Sequence, residues 1–221
     1  MKVILFGATG MVGRGVLREC LLDPQVERIL VVGRSATGER HPKLTEVVQR
    51  TLTDLAPIED QLRGYDACFF CLGVSSAGMS EADYQRVTYD LTVSVGQTLA
   101  RLDPGMTFIY VSGAGTDSTE HGRSMWARVK GRTENALLRM PFKAAYMFRP
   151  GVIRPLHGIR SKTRSYRVLY TVMMPFVLLA SAVAPNSITT TEKMGRAMIH
   201  VAQKGASKPL LGTRDINELA E

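Results

Sequence analysis

Gly7, Gly10 and Gly13 are the first residues whose type and spacing point to chemistry. Val3 to Phe6, just before them, is a short apolar run of strand-forming residues. After Gly13 the pattern turns helical, with Val16, Leu17, Cys20 and Leu21 on one side. A strand, a glycine turn and a helix start make a cradle for an anion. Gly7 allows a tight turn, Gly10 has no side chain to hold a phosphate away, and Gly13 lets the helix lie close to the strand. Thr9, Met11 and Val12 complete the cradle at the helix start. Free N–H groups and the helix dipole there attract a pyrophosphate. The spacing is G-x-x-G-x-x-G, which differs from the commoner G-x-G-x-x-G fingerprint. Placed directly after a strand, it predicts dinucleotide binding.

A second chemical signal follows the next apolar run, Arg28 to Gly33. In a dinucleotide fold the end of the second strand meets the adenosine ribose. An acid there bonds the 2′-hydroxyl of NAD, and an arginine accommodates the 2′-phosphate of NADP. Gly33-Arg34-Ser35 offers a cation and a hydroxyl and no acid, so the expected cofactor is NADP in preference to NAD. Asp54 and Leu55 are placed to touch the edge of the adenine. Leu72 and Gly73 end a further strand where backbone can approach the cofactor.

The elements that position these residues alternate. Strands are predicted at 28–33, 46–50, 66–73, 107–112 and 144–148, after the first at 3–6. Between them come a short helix at 58–63, a long one at 80–100 and another at 125–139. Ser80, with Asp83 three residues on, is a near-match to a capping box. Alternation of this kind is the signature of an α/β doubly wound parallel sheet, the Rossmann arrangement, with helices on both faces. A helix at 190–204, a short edge strand at 209–211 and a final helical turn at 214–220 close the chain. Residues 1–151 form the nucleotide-binding core in this reading. Residues 152–221 form a small, mainly helical substrate-side portion, continuous with the core.

The chain has 221 residues and a formal net charge of +8. Between Asn135 and Thr191 there is no Asp or Glu, while Arg139, Lys143, Arg149, Arg154, Arg160, Lys162, Arg164 and Arg167 lie there. Such a surface suits an anionic substrate or cofactor phosphates. Nucleic acid is not expected, because no reading helix or stacking motif accompanies the charge. Cys20, Cys68 and Cys71 are read as reduced thiols of a cytoplasmic protein, and no metal-ligand set is present. No secretory signal is read at the start, since the first apolar run is short and enters the glycine turn.

Val168 to Ala184 is strongly apolar and follows Arg160, Lys162, Arg164 and Arg167. Three readings fit it. It is short for a membrane span, which needs about 20 apolar residues, and Pro175 interrupts it. It could lie on a membrane surface, with 160–184 meeting anionic headgroups. It could also pack over the substrate cleft or against another subunit.

Taken together, Gly7-Ala8-Thr9-Gly10-Met11-Val12-Gly13, Val32-Gly33-Arg34, Asp54-Leu55, Phe70-Cys71-Leu72-Gly73, Val111-Ser112-Gly113 and Arg149-Pro150-Gly151 resemble the short-chain dehydrogenase/reductase superfamily in its atypical branch. Within it the chain looks most like the Tat-interacting-protein-like and NAD-dependent epimerase-like groups, over nearly its whole length. The resemblance implies a nicotinamide floor made by Ser112, Lys130, Pro150 and Gly151. Carbonyl-reducing members use a Ser, then Tyr-x-x-x-Lys on the next helix. The four-residue spacing puts Tyr and Lys on one face. The Tyr hydroxyl passes a proton while Lys lowers its pKa and holds the ribose, and Ser polarises the same oxygen. Ser112 and Lys130 match, but Trp126 stands where Tyr is expected. Indole is a donor only and cannot act as an acid or base near neutral pH. His121, Ser124 and Tyr110 are the other groups that could supply a proton.

The resulting expectation is an NADP(H)-binding oxidoreductase or epimerase-like enzyme of atypical mechanism, with Ser112 and Lys130 as its catalytic pair. The alternative is a non-catalytic NADPH sensor or assembly factor, peripheral to a membrane. The expected ligand is a small apolar or anionic substrate. The helices at 80–100 and 125–139 are candidate homodimer surfaces.

Overall fold

The computed structural model describes residues 1–159 and 188–221. The expectations for 160–184 and 168–184 fall within residues 160–187, outside those described.

The described residues form a seven-stranded sheet. Its strands are β1 (Lys2–Phe6), β2 (Arg28–Gly33), β3 (Leu44–Val48), β4 (Ala67–Phe70), β5 (Thr107–Val111), β6 (Ala144–Arg149) and β9 (Leu210–Gly212). The spatial order is β3-β2-β1-β4-β5-β6-β9, and all pairs are parallel. Strand order reverses between β1 and β4, which opens a crevice at their carboxyl ends, the place where open α/β sheets take ligands.

Side chains alternate across the sheet and build one core on each face. On one face Val3 and Leu5 pack with Val16, Leu17 and Cys20 of α1 (Met11–Leu22) and with Met194 and Met198 of α5 (Thr191–Lys204). On the other, Ile4 and Phe6 pack with Phe70, Phe108 and Tyr110, with Val95 and Leu99 of α3 (Leu91–Leu102), and with Leu137 of α4 (Met125–Leu138). Cys68 belongs to the second core and Cys71 packs against the first. The Cys-x-x-Cys pair therefore straddles the sheet, and burial raises both thiol pKa values. All three cysteines are unpaired.

Several elements differ from the sequence pattern. β3 begins two residues earlier than expected, where Leu44 pairs with Ile29. The long helix is divided into α2 (Glu81–Gln85), a π-helical turn at Arg86–Asp90, and α3. Ser80 does cap α2: its Oγ accepts from the Asp83 amide at 3.1 Å and donates to the Asp83 carboxylate at 2.7 Å. The short helix is a 3₁₀ helix at Ala56–Leu62 with Pro57 in its first turn, where the missing N–H of proline costs nothing. A second, two-stranded sheet of β7 (Val152–Arg154) and β8 (Ile188–Thr190) was not legible, because three-residue strands carry no usable period.

The C-terminal part joins the main sheet. β9 pairs with β6, and α6 (Thr213–Leu219) contributes Ile216 to the first core. α1 and α5 cross closely at two glycines. An added Cβ at Gly15 would stand 2.5 Å from the Thr191 Cβ, and one at Gly195 would stand 2.7 Å from the Glu19 Cβ. No helix among the described residues is long and apolar enough to cross a membrane.

Candidate functional site

The glycine turn sits at the strand-order reversal. Gly7 has φ +83°, and a Cβ there would meet the Cys71 carbonyl carbon at 2.7 Å. A Cβ on Gly13 would stand 2.1 Å from the Gly7 carbonyl oxygen. α1 thus lies hard against the end of β1, as the spacing requires. Gly10 is the N-cap of α1, with extended backbone and no side-chain cap bond. The first-turn amides at Met11, Val12 and Gly13 are therefore left for an outside acceptor. Thr9 is half-buried beside them. These residues fit a pyrophosphate: the glycines pack the turn and helix start together, and the uncapped first-turn amides point out of it.

Around this turn the remaining expected contacts are unevenly placed. Arg34 is exposed just past β2 and has no acidic partner among the described residues. Asp54 is exposed; its Oδ1 accepts from the Ala56 amide at 3.1 Å and so starts the 3₁₀ helix. Leu55 is 2% exposed and packs in the second core, so its backbone, not its side chain, is what an adenine could meet. Leu72 is half-buried and Gly73 exposed, with open space around a Cβ built on Gly73.

The end of β5 carries the other half of the site. Ser112 is buried, and its Oγ donates to the Phe148 carbonyl at 3.2 Å. In this arrangement the hydroxyl ties β5 to β6. Lys130 reaches back from α4, and its Nζ donates to the Ser112 carbonyl at 2.5 Å. The amine also lies 5.9 Å from the centre of the Tyr110 ring. Burial lowers the Lys130 ammonium from 10.5 to about 8, while Glu134 one turn further opposes that shift. Trp126, one turn before Lys130, is half-buried with its ring edge below the Gly115 backbone. Pro150 is buried and its carbonyl accepts from the Ala114 amide at 2.8 Å; the Gly151 amide donates to Thr213 Oγ1 at 2.8 Å. Ser112, Lys130, Pro150 and Gly151 are thus brought together where β5 and β6 end.

The other proton sources are less well placed. Tyr110 is 1% exposed, and burial pushes its phenol well above the ordinary value. His121 and Ser124 are exposed in the loop before α4. One feature of this region gave no signal in the sequence. Glu134, wholly buried, takes Arg149 from the end of β6: Nε lies 3.1 Å from each carboxylate oxygen, and Nη2 bonds Oε2 as well. Arg149 also donates to Ser118 Oγ at 2.5 Å. The i, i+4 relation of Lys130 to Glu134 was readable; the partner on β6 was not.

A separate cluster joins α1 and α5. Ligand-type atoms of Glu19, His157 and Glu192 come within 4.8 Å of one another. Arg18 and Arg196 already pair with Glu19, and Arg196 and His157 pair with Glu192. The group is a closed ion-pair network that joins α1 to α5.

No family model matches the chain. Curated relatives do. It is 28% identical over 165 residues to protein FMP52-2, mitochondrial, of Scheffersomyces stipitis, covering 73% of this chain and 69% of that protein. It is 26% identical over 157 residues to protein HTATIP2 of Rattus norvegicus, covering 69% and 62%. Among solved structures it superposes on Bordetella bronchiseptica WbmF in complex with NAD+ with a TM-score of 0.67 at 16% identity, covering 99% of this chain and 76% of that one. A UDP-N-acetylglucosamine 4-epimerase from Methanobrevibacter ruminantium matches with a TM-score of 0.69 at 13% identity, covering 95% and 74%. The fold is therefore the Rossmann fold of short-chain dehydrogenase/reductase and epimerase proteins. The chain resembles the atypical group that holds FMP52 and HTATIP2. The fungal relatives carry mitochondrial names, whereas the sequence alone pointed to the cytoplasm.

Proposed function

We propose that the protein binds a nicotinamide dinucleotide, NADP(H) in preference to NAD(H), and is an oxidoreductase or epimerase-like enzyme of the atypical short-chain dehydrogenase/reductase type. One observation carries this reading. The uncapped start of α1 stands at the strand-order reversal, with Gly13 pressed on Gly7 and no side chain in the way. Solved neighbours bound to NAD+ and a sequence relative such as HTATIP2 support it.

In this reading Gly10 to Gly13 hold the pyrophosphate by backbone N–H groups. Arg34 faces the adenosine ribose, where a guanidinium can bond a phosphate through two N–H groups at once. Lys130 and the backbone of Ser112, Pro150 and Gly151 line the nicotinamide end. When bound, that ring supplies or takes a hydride. The small substrate is apolar or anionic, in keeping with the excess of basic residues after Asn135.

Thermal unfolding with NADPH, NADP+, NADH and NAD+ tests the proposal. The phosphorylated pair is expected to raise Tm at lower concentration than the other pair, since a ligand at 100 times its Kd adds about 2.7 kcal/mol. No shift with any of the four would refute it.

A further inference from the structure

Trp126 removes the hydroxyl that relatives of this fold place one helical turn before the lysine. We propose that Lys130 is itself the proton donor of this site, its Nζ giving a proton to the substrate oxygen left negative when the adjoining carbon is reduced. The inference rests on the oxidoreductase reading above. In the step, an N–H bond at Nζ breaks and an O–H bond forms on the substrate. The hydride and its electron pair come from the reduced nicotinamide. The lysine is left as a neutral amine and regains its proton from water.

Elimination within the described residues leads to this atom. Trp126 offers an indole N–H that does not ionise near neutrality. The Ser112 hydroxyl is engaged with the Phe148 carbonyl. Tyr110 is buried beneath Lys130, away from a ligand, and burial makes its phenol a weaker acid. Tyr84, on α2, is likewise buried. Glu134 is closed off by Arg149. His121 is exposed in the loop before α4.

Lys130 has the placement the others lack. One of its three N–H groups is spent on the Ser112 carbonyl, which anchors it at the end of β5. No second hydrogen-bond partner is found among the described residues, so two N–H groups remain for a ligand. The side chain is half-buried, with its amine over the Tyr110 ring. The charged group that acts on it is Glu134 on α4, itself paired with Arg149 of β6. Glu134 opposes the shift, and desolvation by burial outweighs it, which brings the amine into the range where it can give and regain a proton near neutral pH.

The test uses the full chain with its lysines reductively ¹³C-methylated, followed by NMR. One resonance is expected to titrate near 8 and to vanish in Lys130→Arg. If Lys130 titrates with the surface lysines, the proposal fails. The second arm measures NADPH-dependent reduction of phenanthrenequinone against pH. Turnover should fall about tenfold per pH unit once the amine deprotonates, because the protonated form is the acid. Lys130→Arg keeps a permanent cation. It should retain the NADPH-induced rise in Tm, yet lose about 100-fold in turnover and lose the alkaline limb. A variant that keeps the wild-type rate and limb would assign Lys130 to ribose holding alone and overturn the proposal. NADPH binding without quinone turnover, or without the limb, also defeats the role of Lys130. Absence of NADPH binding in the wild type defeats the oxidoreductase reading, and this inference with it.

Discussion

Arg149, at the end of β6, sets its guanidinium against the buried carboxylate of Glu134 on α4. The pair couples two elements that both border the site, and Ser118 adds the β5–α4 loop to the same guanidinium. Replacing one partner leaves the other charge buried and unpaired, which costs about 3–5 kcal/mol. Glu134→Gln and Arg149→Met should therefore each lower the urea midpoint strongly. The double variant Glu134→Leu/Arg149→Met should recover most of the loss. Equal damage from single and double variants would show that the carboxylate acts alone.

Gly13 is the most restricted position of the turn. An alanine Cβ there would overlap the Gly7 carbonyl at 2.1 Å, and backbone cannot move aside as a flexible side chain would. Gly13→Ala should destabilise the protein by about 1–3 kcal/mol, as overpacking does. It should also abolish the NADPH-induced rise in Tm. Gly73→Ala, with open space around the new methyl, should leave stability unchanged. A Gly13→Ala protein that binds NADPH normally would remove the turn from the site.

Arg34 is exposed and stands free of acidic partners among the described residues, so changing it should not disturb the fold. Arg34→Asp should weaken NADPH binding and strengthen NADH binding. The ratio of their Kd values should move by at least about tenfold, or 1.4 kcal/mol. Calorimetric titration measures both. An unchanged ratio would place the 2′-phosphate elsewhere.

Lys130 also makes stability depend on pH. Its folded-state value of about 8 lies below the ordinary 10.5, so between these limits the unfolded chain binds more protons. Stability should then rise with pH across that window. Below it, folding carries the full cost of burying the ammonium. Lys130→Met should raise the urea midpoint at pH 7 and flatten the profile from 8 to 10.5. A Met variant less stable than wild type at pH 7 would mean that the contact with the Ser112 carbonyl outweighs desolvation.

The glycine turn, the strand and helix alternation and the order of the main elements were readable from the chain alone. Their determinants are local: Gly7, Gly10 and Gly13 at fixed spacing, apolar runs such as Ile29 to Val32, and the Ser80 cap. The place of Trp126 four residues before Lys130, where the resemblance implies a tyrosine, was equally plain, because helical spacing is local. Long-range geometry decided the rest. Three-residue strands such as β7 and β8 exist only because each finds the other across a long stretch of chain. Glu134 reads as an ordinary helix acid until β6 brings Arg149 to it. The side chain of Leu55 packs in the second core, which spacing alone did not show, and only its backbone remains for an adenine edge. Most of all, sequence spacing says which residues Lys130 accompanies, but not how dry its surroundings are. Its lowered basicity comes from burial, which only the folded chain determines.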